Sequence, residues 1–445
     1  MNIFKSLSRT QKEAVGLLQI GTFLEYFDLM LYVHLAVLLN ELFFPKTDPH
    51  TAALLGAFAF CSTYVLRPFG ALLFGYVGDH IGRKTTVILT TMMMSISCIV
   101  MASLPTYAQI GILSAWLVTG CRIIQGLSSM GEIIGAEVYM TELTKPPAQY
   151  PAVACIAIAS QVGTAFALGV AALVTHFGLN WRMAFWMGGA IAVIGSVART
   201  RLREAPEFLE KRQQIREKLR TKHQEESGII SNAFRTQKLI NKDKMDRKTF
   251  WAYLAATPSW PLSFYLTYMY FNKILKVDYG YSAEDIIFHN FLLSLISVSI
   301  LIFLAIISYR IYPLKILKIK GKMSLVVMLL LPFIIINATS HIHIFLLQTL
   351  LILSAMSLVP AYPIFLKRIP ILKRFTTASF IYACSRALTY IITSFSLVYL
   401  TEALGYYGLW LIMIPVNIGF IWGVNYFEKL EKMERREKLT PALAA

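Results

Sequence analysis

The stretch Arg67-Pro-Phe-Gly70-Ala-Leu-Leu-Phe-Gly75-Tyr-Val-Gly78-Asp79-His-Ile-Gly82-Arg83-Lys84 ends one apolar span and opens another within a few residues. Its turn is read as Gly75, Gly78, Asp79, Gly82, Arg83 and Lys84. Glycines there permit a tight reversal and a close approach of two helices. Asp79 suits a helix start, because a carboxylate accepts from the unpaired N–H groups of a first turn. Arg83 and Lys84 hold the loop on the cytoplasmic side of a bilayer.

The bilayer is implied by composition. Of 445 residues 56% are hydrophobic and only 15% charged, with a mean hydropathy of +0.58, against about 25% charged in soluble domains. Measured by the roughly 20 apolar residues that a crossing helix requires, the chain gives twelve spans: 14–39, 52–77, 86–104, 109–134, 151–175, 183–199, 250–271, 286–309, 323–338, 342–366, 375–400 and 407–427. The net charge of +17 is distributed by side. Of 42 Lys and Arg, 35 fall on one face, in loops or, for Arg199, at the end of the sixth span; Lys46, Arg182, Lys273 and Lys276 fall on the other, and Arg67, Arg122 and Arg386 lie deeper within spans. That asymmetry is the positive-inside pattern, not a nucleic-acid footprint. An all-α membrane protein follows, with twelve transmembrane helices in two six-helix bundles and both termini cytoplasmic. The expected units are 1–199, a cytoplasmic linker 200–249, 250–427 and a short cytoplasmic tail 428–445. Within the linker, Phe208, Ile215 and Leu219 recur at helical spacing, which fits a surface helix or a solvated connector.

The halves differ. Nineteen of 25 glycines lie in residues 1–248. Where a second copy of the opening loop is due, the chain reads Ser308-Tyr-Arg-Ile-Tyr312-Pro-Leu-Lys315, which keeps positive charge but loses the Gly-Asp-Gly-Arg skeleton.

A charge at the centre of a spanning helix costs about 2.5–3.5 kcal/mol on insertion scales, so each one calls for a reason. In the first span Glu25, Asp28 and Tyr32 share one helical face. Two carboxylates close together away from water repel and are costly to ionise, so one can exchange a proton near neutral pH; the alternative is that arginines such as Arg67 neutralise them. In the fourth span Arg122, Gln125, Ser129, Glu132 and Ala136 form a polar stripe, either a proton and substrate track or a set of neutralising pairs. Arg386, beside Tyr382 and Tyr390 at helical spacing, can meet a substrate carboxylate or can snorkel. His34 faces away from the first-span carboxylates. The cysteines form no C-x-x-C pair, and His341-Ile-His343 is a loop-edge pair, so no metal or cofactor is expected. No nucleophile–base set marks an enzyme.

The G-x-x-G-D-x-x-G-R-K loop, with Arg122-x-x-Gln125-Gly126, resembles the major facilitator superfamily of transporters. Glu25-Tyr-Phe-Asp28 with Tyr32, Arg67-Pro68-x-Gly70, Gly131-Glu132, Trp181-Arg182-Met-Ala-Phe185 and Arg203-Glu-Ala-Pro206-Glu207-Phe208 are similar to elements of its metabolite:proton symporter family. The pattern is similar to that of proline/betaine transporters. The segment Phe365-Leu-Lys-Arg-Ile-Pro370-Ile-Leu-Lys-Arg374-Phe375 matches the family more loosely. His80 departs from the family's basic residue, and the tail is too short for a coiled coil of three or four heptads.

The resemblance implies import of a small zwitterionic or anionic metabolite with protons by alternating access, by a monomer in the bacterial inner membrane. Proline/betaine-type compatible solutes are favoured; dicarboxylates, tricarboxylates or a non-transporting sensor are the alternatives. Proton coupling is expected at Glu25, Asp28 and Glu132, and substrate contact at Tyr32, Arg67, Arg122, Gln125 and Arg386. Asp79, Arg83 and Lys84 are expected to gate the cytoplasmic side.

Overall fold

A computed structural model describes residues 7–44, 64–200, 204, 206–207, 209–211, 213–214 and 245–443. Expectations that rest on the start of the second span, on most of the linker, or on the side chains of His34 and Glu132 lie outside these described residues.

The first half is built from α1 (Arg9–Phe43), α2 (Arg67–His80), α3 (Arg83–Ser103), α4 (Ile112–Leu143), α5 (Gln149–Phe177) and α6 (Arg182–Arg199). The seventh span is divided into α7 (Arg247–Ala256), α8 (Ser259–Tyr265) and α9 (Phe271–Asp278), with a π-helical turn, Leu266–Tyr270, between the last two. Then come α10 (Ala283–Ile307), α11 (Pro313–Ile336), α12 (His341–Ser354), α13 (Arg374–Leu404) and α14 (Trp410–Leu443). Seven of the described helices can cross a membrane by length and composition alone. The others are shorter, or carry the polar residues that build the interior.

Two seams join the halves. One packs α5 against α10 and the other packs α2 against α13. Within the first half α1 lies along α5, and α3 contacts both α4 and α6; within the second, α14 packs on α7 and α11.

Several boundaries differ from those read in the sequence, each for a physical reason. The fourth span ends at Leu143, nine residues beyond the expected 134, so Glu137 and Glu142 sit inside the bundle at 2% and 6% exposure. The ninth begins at Pro313 and not at 323, its four lysines riding on a helix already formed. The tenth is not continuous over 342–366: α12 stops at Ser354, and residues 355–361 run outside any regular helix.

At the π-helical turn the Gln348 amide donates to the Thr267 carbonyl at 2.7 Å, and its oxygen is 2.7 Å from His289 Nε2. Side chains thus re-satisfy backbone groups that a widened turn leaves unpaired. Breaks of this kind in the seventh and tenth spans border the space between the halves, where discontinuous helices commonly frame a site.

The segment after 427 is no loose tail, since α14 continues to Leu443. Its acids brace the weakened second-half loop. Glu431 accepts from Tyr312 Oη (2.9 Å) and pairs with Arg368 (2.6 Å); Glu434 pairs with Arg368 (2.7 Å), and Glu428 with Lys318 (2.8 Å). Hydrogen bonds from Lys318 and Lys432 hold the Glu428 carboxyl below the usual glutamate range. The sign follows: this pairing holds at neutral pH and is lost only as pH falls through that lowered value.

Candidate functional site

The opening stretch folds into something tighter than a turn. Gly75, Gly78 and Asp79 are all within α2, and the reversal is confined to Ile81 and Gly82. Gly82 sits at φ +155°, a conformation that side chains avoid. Asp79 is therefore not the cap of α3, as the sequence reading had it. Its carboxylate caps a helix of the other half. One oxygen accepts from the Phe375 amide at 3.1 Å; the other accepts from the Thr376 amide at 2.8 Å and the Thr376 hydroxyl at 2.6 Å. These are first-turn donors of α13, where the helix dipole favours a negative charge.

Arg83 completes the junction. It pairs with Asp79 at 3.0 Å and with Glu142 at 3.2 Å, donates to the Ile371 carbonyl at 2.7 Å, and also donates to the Gly78 carbonyl. Glu142 in turn holds Arg374 at 3.2 Å, and Arg374 lies 3.6 Å from Glu207. Glu204 accepts from the Arg83 and Lys84 amides, so Lys84 enters this junction through its backbone. Asp79, Arg83, Glu142 and Arg374 are each under 7% exposed. Breaking a buried pair of this kind costs about 3–5 kcal/mol.

On the opposite face the α5–α10 seam carries His176 and Glu284 at 2.5 Å, both half-exposed. An exposed pair contributes about 0–1 kcal/mol. Among the described residues, the cytoplasmic side is the strongly sealed one.

The seal depends on how closely α2 approaches α13. A Cβ on Gly75 would lie 2.6 Å from Thr376 Cα, and one on Gly78 would lie 2.8 Å from the Phe375 ring. Backbone cannot yield as a flexible side chain can. Gly75→Ala is therefore expected to destabilise the folded protein by about 1–3 kcal/mol through overpacking, read as a lowered melting temperature of the purified protein, whereas Gly120→Ala, with nothing within 4 Å, leaves that temperature unchanged.

Above the seal lies a central cavity of about 40 Å³, room for about three waters. It is bounded by α1, α4 and α5 of one half and by α8, α10, the 355–361 stretch and α13 of the other. Its charged lining residues are Glu137 and Arg386, one from each half. Tyr26 and Tyr382 meet across it, hydroxyl to hydroxyl, at 3.0 Å. The Arg386 guanidinium stacks 4.2 Å from the Tyr382 ring centroid. No ion pair to Arg386 occurs among the described residues. Gln161, Trp260, Tyr362 and Tyr390 complete the polar and aromatic wall.

The residues expected in one site are thus divided. Arg386 lines the cavity. Asp28, Tyr32, Arg122 and Gln125 do not; they form a second cluster inside the first half. There Arg122 Nη1 donates to Gln125 Oε1 at 2.9 Å, and its guanidinium lies 4.0 Å over the Tyr32 ring. Asp28 shares a hydrogen bond with the Cys98 thiol and has Arg122 as its charged neighbour, while its Oδ2 has no partner among the described residues. Arg67 lies between the clusters, 4.5 Å over Tyr64, whose ring is 4.5 Å from that of Tyr390. Glu25 is fully buried outside the cavity wall.

Sequence reasoning gave no role to Glu137, Glu142, Gln161, Trp260 or Tyr362. For both glutamates the missed signal was helix length, because a fourth span ended at 134 leaves them in a loop.

The comparisons with known proteins agree with this architecture. The Major Facilitator Superfamily model matches residues 18–393. The inner membrane metabolite transport protein YhjE of Escherichia coli K12 is 34% identical over 197 residues, 42% of this chain and 45% of that protein. The proline/betaine transporter of Salmonella typhimurium LT2 is 29% identical over 204 residues, 44% of this chain and 41% of that protein. The chain therefore matches less than half the length of these curated relatives. Among solved structures, the proton:xylose symporter XylE bound to 6-bromo-6-deoxy-D-glucose superposes with a TM-score of 0.74 at 14% identity, covering 94% of this chain and 95% of that one. The human organic anion transporter MFSD10 gives 0.63 at 16% identity over 94% and 100%. These likenesses support the fold alone, and the family model places the chain among transporters, not enzymes. With its sealed α2–α13 junction, its central cavity and a family match from residue 18 to residue 393, the chain belongs to the Major Facilitator Superfamily.

Proposed function

We propose that this protein imports a small zwitterionic or anionic metabolite together with protons across the bacterial inner membrane by alternating access. The bundles 1–199 and 250–427, joined by 200–249, rock about the central cavity. The observation that carries the reading is Arg386: a guanidinium 7% exposed, facing a cavity between the halves, with no ion pair among the described residues. A buried guanidinium of this kind calls for an anion, and a substrate carboxylate supplies one in fork geometry. Relatives named as proline/betaine transporters favour a compatible solute.

Proton handling belongs to the second cluster. Protonation of Asp28 cancels its attraction to Arg122 and so loosens α1 from α4, both of which line the cavity through other residues. Glu25 and Glu132 are further carriers under this reading. Asp79, Arg83, Glu142 and Arg374 close the cytoplasmic side while the cavity loads from outside.

The test is uptake into proteoliposomes under an imposed inward proton gradient, with proline, betaine, oxoglutarate and citrate as competitors. Uptake abolished by a protonophore, and reduced at least about tenfold in Arg386→Ala for loss of a charge-assisted contact, supports the reading. Saturable binding with no uptake of any of the four replaces it with a sensor.

A further inference from the structure

We infer that Glu137 is the cation-binding residue of the central cavity and that it selects a zwitterion whose nitrogen still carries hydrogen. This rests on the importer reading and narrows its substrate class.

Glu137 is on α4, 2% exposed, and its Oε2 is a buried acceptor with no hydrogen-bond partner among the described residues. It lines the cavity opposite Arg386, the charged group that acts on it electrostatically. No other charged side chain is among the described lining residues. The described wall thus presents one carboxyl group and one guanidinium, each from a different half, with no ion pair between them among the described residues, and an ammonium bound beside the carboxyl favours its ionised form. A ligand with one charge of each sign compensates both and ties the halves together. A dicarboxylate would satisfy Arg386 and set its second carboxylate against Glu137. Two like charges at one site cannot both stay ionised.

The nitrogen follows from the donor inventory. A carboxylate only accepts, so its unpartnered buried oxygen calls for a donor, and the donor that the cationic end of a zwitterion can bring is an N–H. Aromatic faces such as Trp260 and Phe264 can hold a quaternary ammonium by cation–π attraction, but such a group has no hydrogen to give Glu137. A primary, secondary or tertiary ammonium answers both.

The full-length protein in proteoliposomes, and purified for thermal-shift binding, is titrated with glycine, its N-methyl, N,N-dimethyl and N,N,N-trimethyl derivatives, proline and succinate. In the wild type the loss of the last N–H, from dimethyl to trimethyl, is expected to weaken binding about tenfold, the worth of one hydrogen bond to a charged group. Glu137→Gln is expected to weaken the N–H-bearing ligands about tenfold or more and the trimethyl compound by a smaller factor, since only the former lose a hydrogen bond as well as the opposite charge, and the remaining binding shows that the variant folds. Glu137→Asp keeps the wild-type rank order. The inference is overturned if the trimethyl compound or succinate binds the wild type as well as glycine does, or if nothing in the series binds. It is overturned equally if Glu137→Gln loses proton dependence while keeping the amine preference. The expected rank order in binding without proton-driven uptake instead overturns the importer reading and leaves the ligand assignment standing.

Discussion

Asp79→Asn is expected to lower proton-driven uptake by about 100-fold or more and to leave the cavity open to the cytoplasm. The carboxylate receives four donors on two oxygens: the Phe375 and Thr376 amides, the Thr376 hydroxyl and Arg83. An asparagine keeps one acceptor oxygen and turns N–H groups toward N–H groups. The same change removes the negative charge at the start of α13 and leaves Arg83, fully buried, with one carboxylate fewer. A loss of about 3–5 kcal/mol for a broken buried pair is enough to move a two-state equilibrium by about 100-fold or more. Labelling of a single cysteine introduced at Ser357, on the cavity wall, from the cytoplasmic side reads the change directly. Single changes between Ser308 and Lys322 should matter far less, because their bonds to α14, such as Tyr312 to Glu431, lie within the second half and are partly exposed. Equal effects at the two places would sink the assignment of the gate to Asp79.

Asp28→Asn is expected to abolish accumulation against a gradient while exchange of substrate across the membrane continues within about threefold. A shift of that kind separates coupling from binding, since an interaction used only for the proton does not alter ground-state affinity. Asp28 is 1% exposed and outside the cavity wall, so its amide leaves Arg386 and Glu137 untouched. What changes is the charge facing Arg122, while its contacts with Gln125 and the Tyr32 ring stay in place. An asparagine variant that still concentrates substrate when protons flow inward would exclude Asp28 from coupling and move the role to Glu25 or Glu132.

Much of this was readable in one dimension. Twelve apolar spans and a one-sided distribution of lysine and arginine are local properties, set by bilayer thickness and by the cost of moving charge across it. The opening loop was readable because glycine, aspartate and arginine at fixed spacing have few physical explanations between two spans. Arg386 stood out as a lone cation in an apolar helix. Helix ends were less readable. Glu137 and Glu142 look like loop residues until α4 is seen to run to Leu143, because a polar residue ends a hydropathy window whether or not it ends a helix. The π-helical turn at Leu266–Tyr270 carries no local signature, since a side chain distant in sequence satisfies its freed carbonyl, whereas the break after Ser354 is marked by Pro360 and Pro363, which a hydropathy window does not register.

By itself the sequence determined that this chain is a polytopic membrane protein with an N-terminal half bearing one intact loop motif and a set of intramembrane charges. Tertiary structure alone decided what those charges meet. Asp79 was read as the cap of the helix that follows it and is the cap of a helix nearly three hundred residues away. Asp28, expected to couple protons, and Arg386, expected to contact substrate, fall into separate clusters, one within a half and one between halves. The physical reason is the same in each case: a buried charge is stabilised by whichever donors or acceptors the packing brings within about 3 Å, and in a membrane bundle those belong to other helices.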